Sequence, residues 1–465
     1  MPSQTDPAAD RNGHQAWLAA AARSLKGADI ESLVTRTPEG VGIQPLYDAS
    51  GAPERLRAEA GWDICARVSA ANPGAANVLA HEALSGGATS LLLNVPGLGS
   101  AVDLAQALAG VVLEAAPVAL DAGFSGPIAA GWLAEAARGS PTARLALHLD
   151  PLSVWAETGE SPGPIEAHIA RAAETAASLA PAYPQASLFL ASGRVAHEAG
   201  GSPAQELGMM AAAAVAYARA LGEAGAPPEG AFPRIVLGLA VDQQLLVSIA
   251  KLRAARRIRA RITGACGAEA PARIEARSSQ RMLTAADPWT NLLRLTVAGF
   301  SGAVGGADAL VLGTYSDALG PPAEPARRLA RNTQLILAEE AHLGRAADAL
   351  AGAWAIESLT DQLARQGWSC FQAIERQGGL VAVLTSGAFA AEVASTRSMR
   401  EAPVGEGRSP ILGVTRFPDP APLPVDIEPM RAAAGVDVRL PGPDSRCPPL
   451  TPIRISALAE EGMAS

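Results

Sequence analysis

Three groups of residues have the types and spacing that chemistry requires. The stretch ASGRVAHEAGG, residues 191–201, sets His197 beside Glu198 on a loop that follows a strand-like run. An imidazole there titrates in the range of a general acid or base; the plain alternative is a structural ring, hydrogen-bonded to a neighbouring loop. In LHLDP, His148 and Asp150 fall at the end of a second strand-like run, where barrel enzymes place acid–base pairs and where helix caps also sit. The cap is the favoured reading. In RIEARS, Arg273, Glu275 and Arg277 alternate, so a strand turns all three to one face. An internal salt-bridge cluster is expected there, with anion binding as the sharper alternative.

The rest of the composition narrows the field. A net charge of −9 over 465 residues argues against nucleic acid, which needs clustered cations. The one basic run, KLRAARRIRAR at 251–261, reads as a helix with an exposed, solvated cationic face. Cys65, Cys266, Cys370 and Cys447 are far apart and form no C-x-x-C pair, which suggests no zinc site and fits reduced cytoplasmic thiols. The N-terminus lacks the charged-then-apolar order of a signal peptide, and no apolar stretch is long enough for a bilayer.

The elements that must position these residues alternate along the chain. Strands are expected at 89–95, 117–123, 144–150, 186–193, 234–241, 272–279 and 308–314, each nearly continuous in apolar residues as in a parallel sheet buried on both faces. Between them lie alanine-rich helical stretches such as AVDLAQALAGVVLEA and PAQELGMMAAAAVAYARALGEA, several of which begin after Pro, Ser or Asp. Seven strands and their helices predict an α/β fold, a (β/α)8 barrel with one strand unplaced. An open doubly wound sheet is the competitor, but NVPGLGSAV lacks the G-x-G-x-x-G phosphate turn. The expected organisation is an N-terminal helix and extended arm at 1–50, the barrel at 51–400 and a Pro/Gly-rich extension at 401–465 that lies along a surface.

Three stretches together, TPEGVGIQPLY (37–47), SSQRMLTAADPWTNLLRLTV (278–297) and RLARNTQLILAEEAHLGRAADALAGAWAIESLTDQLA (328–364), resemble the methylmalonyl-CoA mutase family. The resemblance spans most of residues 14–430. It implies a barrel that holds an acyl-CoA along its axis, next to adenosylcobalamin carried by a separate C-terminal domain with a D-x-H-x-x-G motif. Heterodimeric members pair a catalytic large subunit with a small one of similar fold that does not carry out the reaction.

Residue by residue, the resemblance implies loss of the radical site. No D-x-H-x-x-G occurs and no histidine follows His342, so no cobalamin-binding domain is expected and cobalamin should not bind by that route. The catalytic block resembling YRNRPWTIRQYAGF falls on RAEAGWDICARVSA (57–70); Trp62 is kept, but no tyrosine occurs between Tyr47 and Tyr183. The catalytic loop SGYHMQEAG falls on SGRVAHEAG, which puts Arg194 at the tyrosine, Val195 at the histidine and His197 at the glutamine. The histidine of SLHTNA falls on Val311, which has no side-chain hydrogen bond to offer.

The resemblance therefore implies no catalytic, cofactor-binding or metal residue in this chain and a barrel mouth plugged by side chains. It implies a small mutase subunit paired with a large one that holds both acyl-CoA and adenosylcobalamin; the N-terminal arm and Pro-rich tail, two arms flanking a compact domain, are expected to form parts of the interface. Two other readings stay open: an active substrate-binding subunit of a split acyl-CoA mutase, and a scaffold that recruits a chaperone or GTPase.

Overall fold

A computed structural model describes residues 7–37, 40–48, 55–94, 99–429, 442 and 445–463. Eight parallel strands close into a barrel in chain order: β1 Asp63–Ser69, β2 Ser90–Asn94, β3 Val118–Leu120, β4 Leu145–Leu149, β5 Ser187–Ser192, β6 Ile235–Val241, β7 Ile274–Ser278 and β8 Ala309–Val311. Closure is made by β8, which pairs with β7 on one side and β1 on the other. Seven strands fall within the expected stretches. The unplaced eighth is β1, and the reason is its pattern. Asp63, Cys65, Arg67 and Ser69 alternate with Ile64, Ala66 and Val68, so this strand carries the polar half of its pattern inward and lacks the apolar run of its neighbours.

The helices that frame the barrel's C-terminal end are α1 Pro73–Ser85, α2 Pro151–Thr158, α3 Arg194–Glu198, α4 Pro203–Glu223, α5 Leu245–Ala265, α6 Asn291–Gly305, α7 Glu324–Leu335 and α8 Trp354–Arg376. Their starts follow from local chemistry. Asn72 caps α1, Asp150 caps α2, and Ser202 with Gln205 forms a reciprocal capping box on α4. The expected helix over AVDLAQALAGVVLEA is shorter than its pattern, ending at Ala107; Gly110 then turns the chain at φ 79°.

The basic run departs from expectation. It is helical, within α5, but Lys251, Arg253, Arg256 and Arg259 are buried rather than solvated. α5 is wedged against α4, α6 and α8, and distant carboxylates meet its cations. Lys251 pairs with Glu206 at 2.5 Å, Arg253 with Asp348 and Glu357, and Arg256 with Asp308 at 2.8 Å. Arg259 lies over the Phe232 ring, 4.6 Å from its centroid.

Residues 445–456 form a strap over the rim. Trp155 Nε1 donates to Ser445 O at 3.0 Å, Leu450 N to Ala156 O at 2.7 Å, Ile453 N to Glu198 O at 2.9 Å and Ile455 N to Arg281 O at 3.1 Å. Residues 445–456 thus bind their own barrel.

Candidate functional site

The strands end in a chamber of about 890 Å³ at the barrel's C-terminal mouth, bounded on one side by the strap at Pro452. The mouth is therefore open, against the expectation of a plug. What is filled is the interior below it, where Cys65, Leu92, Ala119 and Val311 form a buried apolar cluster with Ala146 packed on it. Val311 sits in that cluster. Burial and the nearby Glu275 push the Cys65 thiol up to about 12. Beneath lies a small cavity of about 60 Å³, which His148, Glu275, Ser90 and Arg273 help to line. The mouth chamber also runs sideways between α1 and α7, where Arg327 and Arg331 share Glu82 at 2.8 and 3.1 Å.

Charges at the mouth are arranged around Arg277. Its Nη1 meets Asp121 Oδ2 at 2.8 Å and its Nε meets Glu275 Oε1 at 2.6 Å. Burial opposes the charge on Asp121, but Arg277, Arg194 and Arg67 outweigh it and hold the carboxyl below its usual range. Arg67 faces Asp317 at 3.7 Å. The salt-bridge cluster expected on β7 is real for Glu275 and Arg277. Arg273 is not part of it: it precedes the strand and is exposed at the barrel floor, because the inward row leaves the barrel there.

His148 and Asp150 are not brought together as a pair. His148, at φ 45°, turns toward Glu275 with Nδ1 3.5 Å from Oε2, and burial lowers its pKa. Asp150 accepts the Ser153 N–H at 3.2 Å as the cap of α2 and the Tyr217 hydroxyl at 2.5 Å, while burial raises it to about 6.

His197 lies behind the chamber wall, fully buried, and does not line the chamber. Its Nε2 is 2.9 Å from Ser279 Oγ and its Nδ1 3.2 Å from Glu206 Oε2. Burial, then Arg281 and Lys251, lowers its pKa, so the ring is neutral at pH 7. Glu206, despite its burial, is held at about 2 by Lys251 and His197. Gly193 sets the loop: a Cβ there would meet Glu206 O at 1.9 Å, so only glycine lets the loop close on α4 and aim Arg194 and Val195 into the chamber. Sequence reasoning missed Arg67, Asp121, Glu206, Asp242, Lys251 and Arg281. Asp121 and Asp242 carried a usable signal, since each directly follows a strand; the others showed none.

This chamber can bind and orient charged groups through Arg67, Arg194 and Arg277, but among the described residues its wall includes no histidine or tyrosine. A family profile described as methylmalonyl-CoA mutase matches residues 97–437. The chain belongs to the methylmalonyl-CoA mutase family. It is 39% identical over 426 residues to a methylmalonyl-CoA mutase small subunit from Streptomyces virginiae, covering 87% of this chain and 68% of that relative. It is 36% identical over 419 residues to a probable small subunit from Mycobacterium bovis, covering 83% and 66%. A small subunit from Propionibacterium freudenreichii subsp. shermanii is 29% identical over 429 residues, covering 87% and 66%. The chain thus spans about two-thirds of the length of these mutase relatives.

Both buried rings, His148 and His197, are turned to carboxylates. Among the described residues no group of three or more His, Cys, Asp or Glu is placed to hold a metal ion.

Proposed function

We propose that this chain is the catalytically silent small subunit of a methylmalonyl-CoA mutase. It pairs with a large subunit that binds acyl-CoA and adenosylcobalamin and interconverts (R)-methylmalonyl-CoA and succinyl-CoA. The observation that carries the reading is the make-up of the mouth: a chamber of about 890 Å³ with, among the described residues, no imidazole or phenol on its wall. Proton transfer at a thioester carbonyl needs a group that changes protonation within reach. On the near wall arginine stays charged, Asp121 is locked to Arg277 and Glu198 is held by the Gln280 and Arg281 N–H groups, which leaves the exposed Glu157. The names of the relatives support the pairing. The four free cysteines support a reducing, cytoplasmic setting, and among the described residues no helix is long and apolar enough to cross a membrane.

The test is co-expression with the large subunit, separation of the chains, and assay of each for cobalt and turnover. The reading requires both to follow the large subunit; either one in this chain alone overturns it. The open mouth favours one competitor, a substrate-binding subunit of a split mutase. That reading predicts that acyl-CoA raises the melting temperature of this chain by itself, and no shift discards it.

A further inference from the structure

Among the described residues no carboxylate is in contact with the Arg194 guanidinium, although Asp121, Glu157 and Glu198 feel its charge at longer range. Arg194 lines the mouth chamber, yet among the described residues its guanidinium makes no hydrogen bond or ion pair; only its backbone N–H is held, by Ser192 Oγ at 3.2 Å. The neighbouring charges are engaged. Arg277 is gripped by Asp121 and Glu275, and Arg67 faces Asp317. Glu198 accepts Arg281 N at 3.0 Å and Gln280 N at 3.3 Å. Glu157, the remaining acid on the near wall, is exposed; desolvation of its carboxyl by the surrounding wall raises its pKa although the Arg194 charge lowers it. Desolvation and the like charges of Arg277 and Arg67 work against the charge on Arg194 and are only partly offset by Glu198 and Asp121, so an incoming anion gains more there than it would from a solvated arginine.

We infer that Arg194 anchors a small organic oxyanion, a carboxylate or a phosphate group, that enters the chamber sideways between α1 and α7. The guanidinium fork matches both groups, with two parallel N–H donors to two oxygens. The chamber volume lies in the range of small-molecule sites. Entry is lateral because Cys65, Leu92, Ala119 and Val311 fill the barrel interior, while the chamber continues past Ala330 on α7. The inference does not depend on catalytic silence, since an anion binds such a chamber whether or not chemistry follows.

Isothermal titration calorimetry of the whole chain with succinate, and separately with inorganic phosphate, tests it. At least one should bind with Kd below about 1 mM. Arg194→Gln should weaken that binding about tenfold or more, and Arg194→Lys by less. Ala330→Trp should also abolish it by blocking the entry. Arg365→Gln, on the exposed α8 pair with Asp361, should leave it unchanged. Binding of succinate alone assigns a carboxylate ligand, and of phosphate alone a phosphate one. The inference falls if neither anion binds, or if Arg194→Gln and Ala330→Trp bind as the parent does. If Arg194→Gln does not fold, Arg194→Lys and Ala330→Trp decide the matter. None of these titrations reads cobalt or turnover, so their failure leaves the silent-subunit reading standing.

Discussion

Within the short helix α3, the barrel keeps two different kinds of polar chemistry. Arg194 and Val195 face an open chamber, whereas His197 is packed into a closed network with Glu206, Asp242, Lys251, Ser279 and Arg281, and Glu198 lies on the boundary, lining the chamber while it accepts from Ser279. The closed side is over-determined. Asp242, for instance, meets Arg281 at 3.3 Å and His197 at 3.8 Å and also holds Ser248 and the Gln244 N–H. On the open side Arg194 has none of this. A buried charge survives when several partners converge on it, and a lone charge survives only beside space that water or a ligand can fill. The difference teaches that an imidazole moved two positions along such a short helix changes compartment, from chamber to wall.

The comparison breaks most visibly at Lys251. Lys251→Met strands Glu206 in the interior and should cost about 3–5 kcal/mol in urea denaturation. The paired change Glu206→Leu with Lys251→Met should recover much of that loss. A cost below about 1 kcal/mol for the single variant would mean the network is looser than its distances suggest. Next in size is the strap. Leu450 is buried over α2, and Leu450→Ala should cost about 2–3 kcal/mol and raise amide exchange at Ile453 and Ile455, whose N–H groups are held on the rim.

A pH titration of stability sharpens the contrast between the two buried acids. Glu206 is held at about 2, below the ordinary 4.5, so its contribution is present above 4.5 and drains away as pH falls through 2. Asp150 is raised to about 6 from 3.8, so its contribution is full below 3.8 and is lost as pH rises through 6. Asp150→Asn keeps an oxygen for the cap and the tyrosine, and should remove the downward slope between pH 4 and 6 from urea-derived stabilities. A slope that persists unchanged would move its origin to another group. The smallest effect belongs to Arg194. Arg194→Gln should shift stability by no more than about 0.5 kcal/mol, because among the described residues the guanidinium makes no hydrogen bond or ion pair to lose and its favourable and unfavourable neighbours largely offset. A larger loss would place that side chain in the wall after all.

Much of this architecture was legible in the sequence. Continuous apolar runs disclosed the seven strands buried on both faces, while β1 hid because its inward row begins with Asp63 and includes Arg67. The family loop showed which side chains replaced the expected tyrosine and histidine, at Arg194 and Val195. It could not show the volume left behind, which depends on eight strand ends at once. Nor could it foresee the buried cations of α5. A basic helix looks solvated until Glu206, Asp308, Asp348 and Glu357 arrive from before and after it in the chain. Tertiary partners of this kind leave no local trace, and charge patterning reads only local traces.

The strap has a consequence in time. Trp155 Nε1 must wait for a carbonyl 290 residues further on, and Leu283 for a hydroxyl 173 residues further on. On the ribosome β8 emerges, and the cylinder can shut, well before Ser445 does, so a nascent chain passes through a stage with a finished wall and an unfinished lip. Loops of that length close slowly, and the lip should be the last part of the molecule to acquire protection.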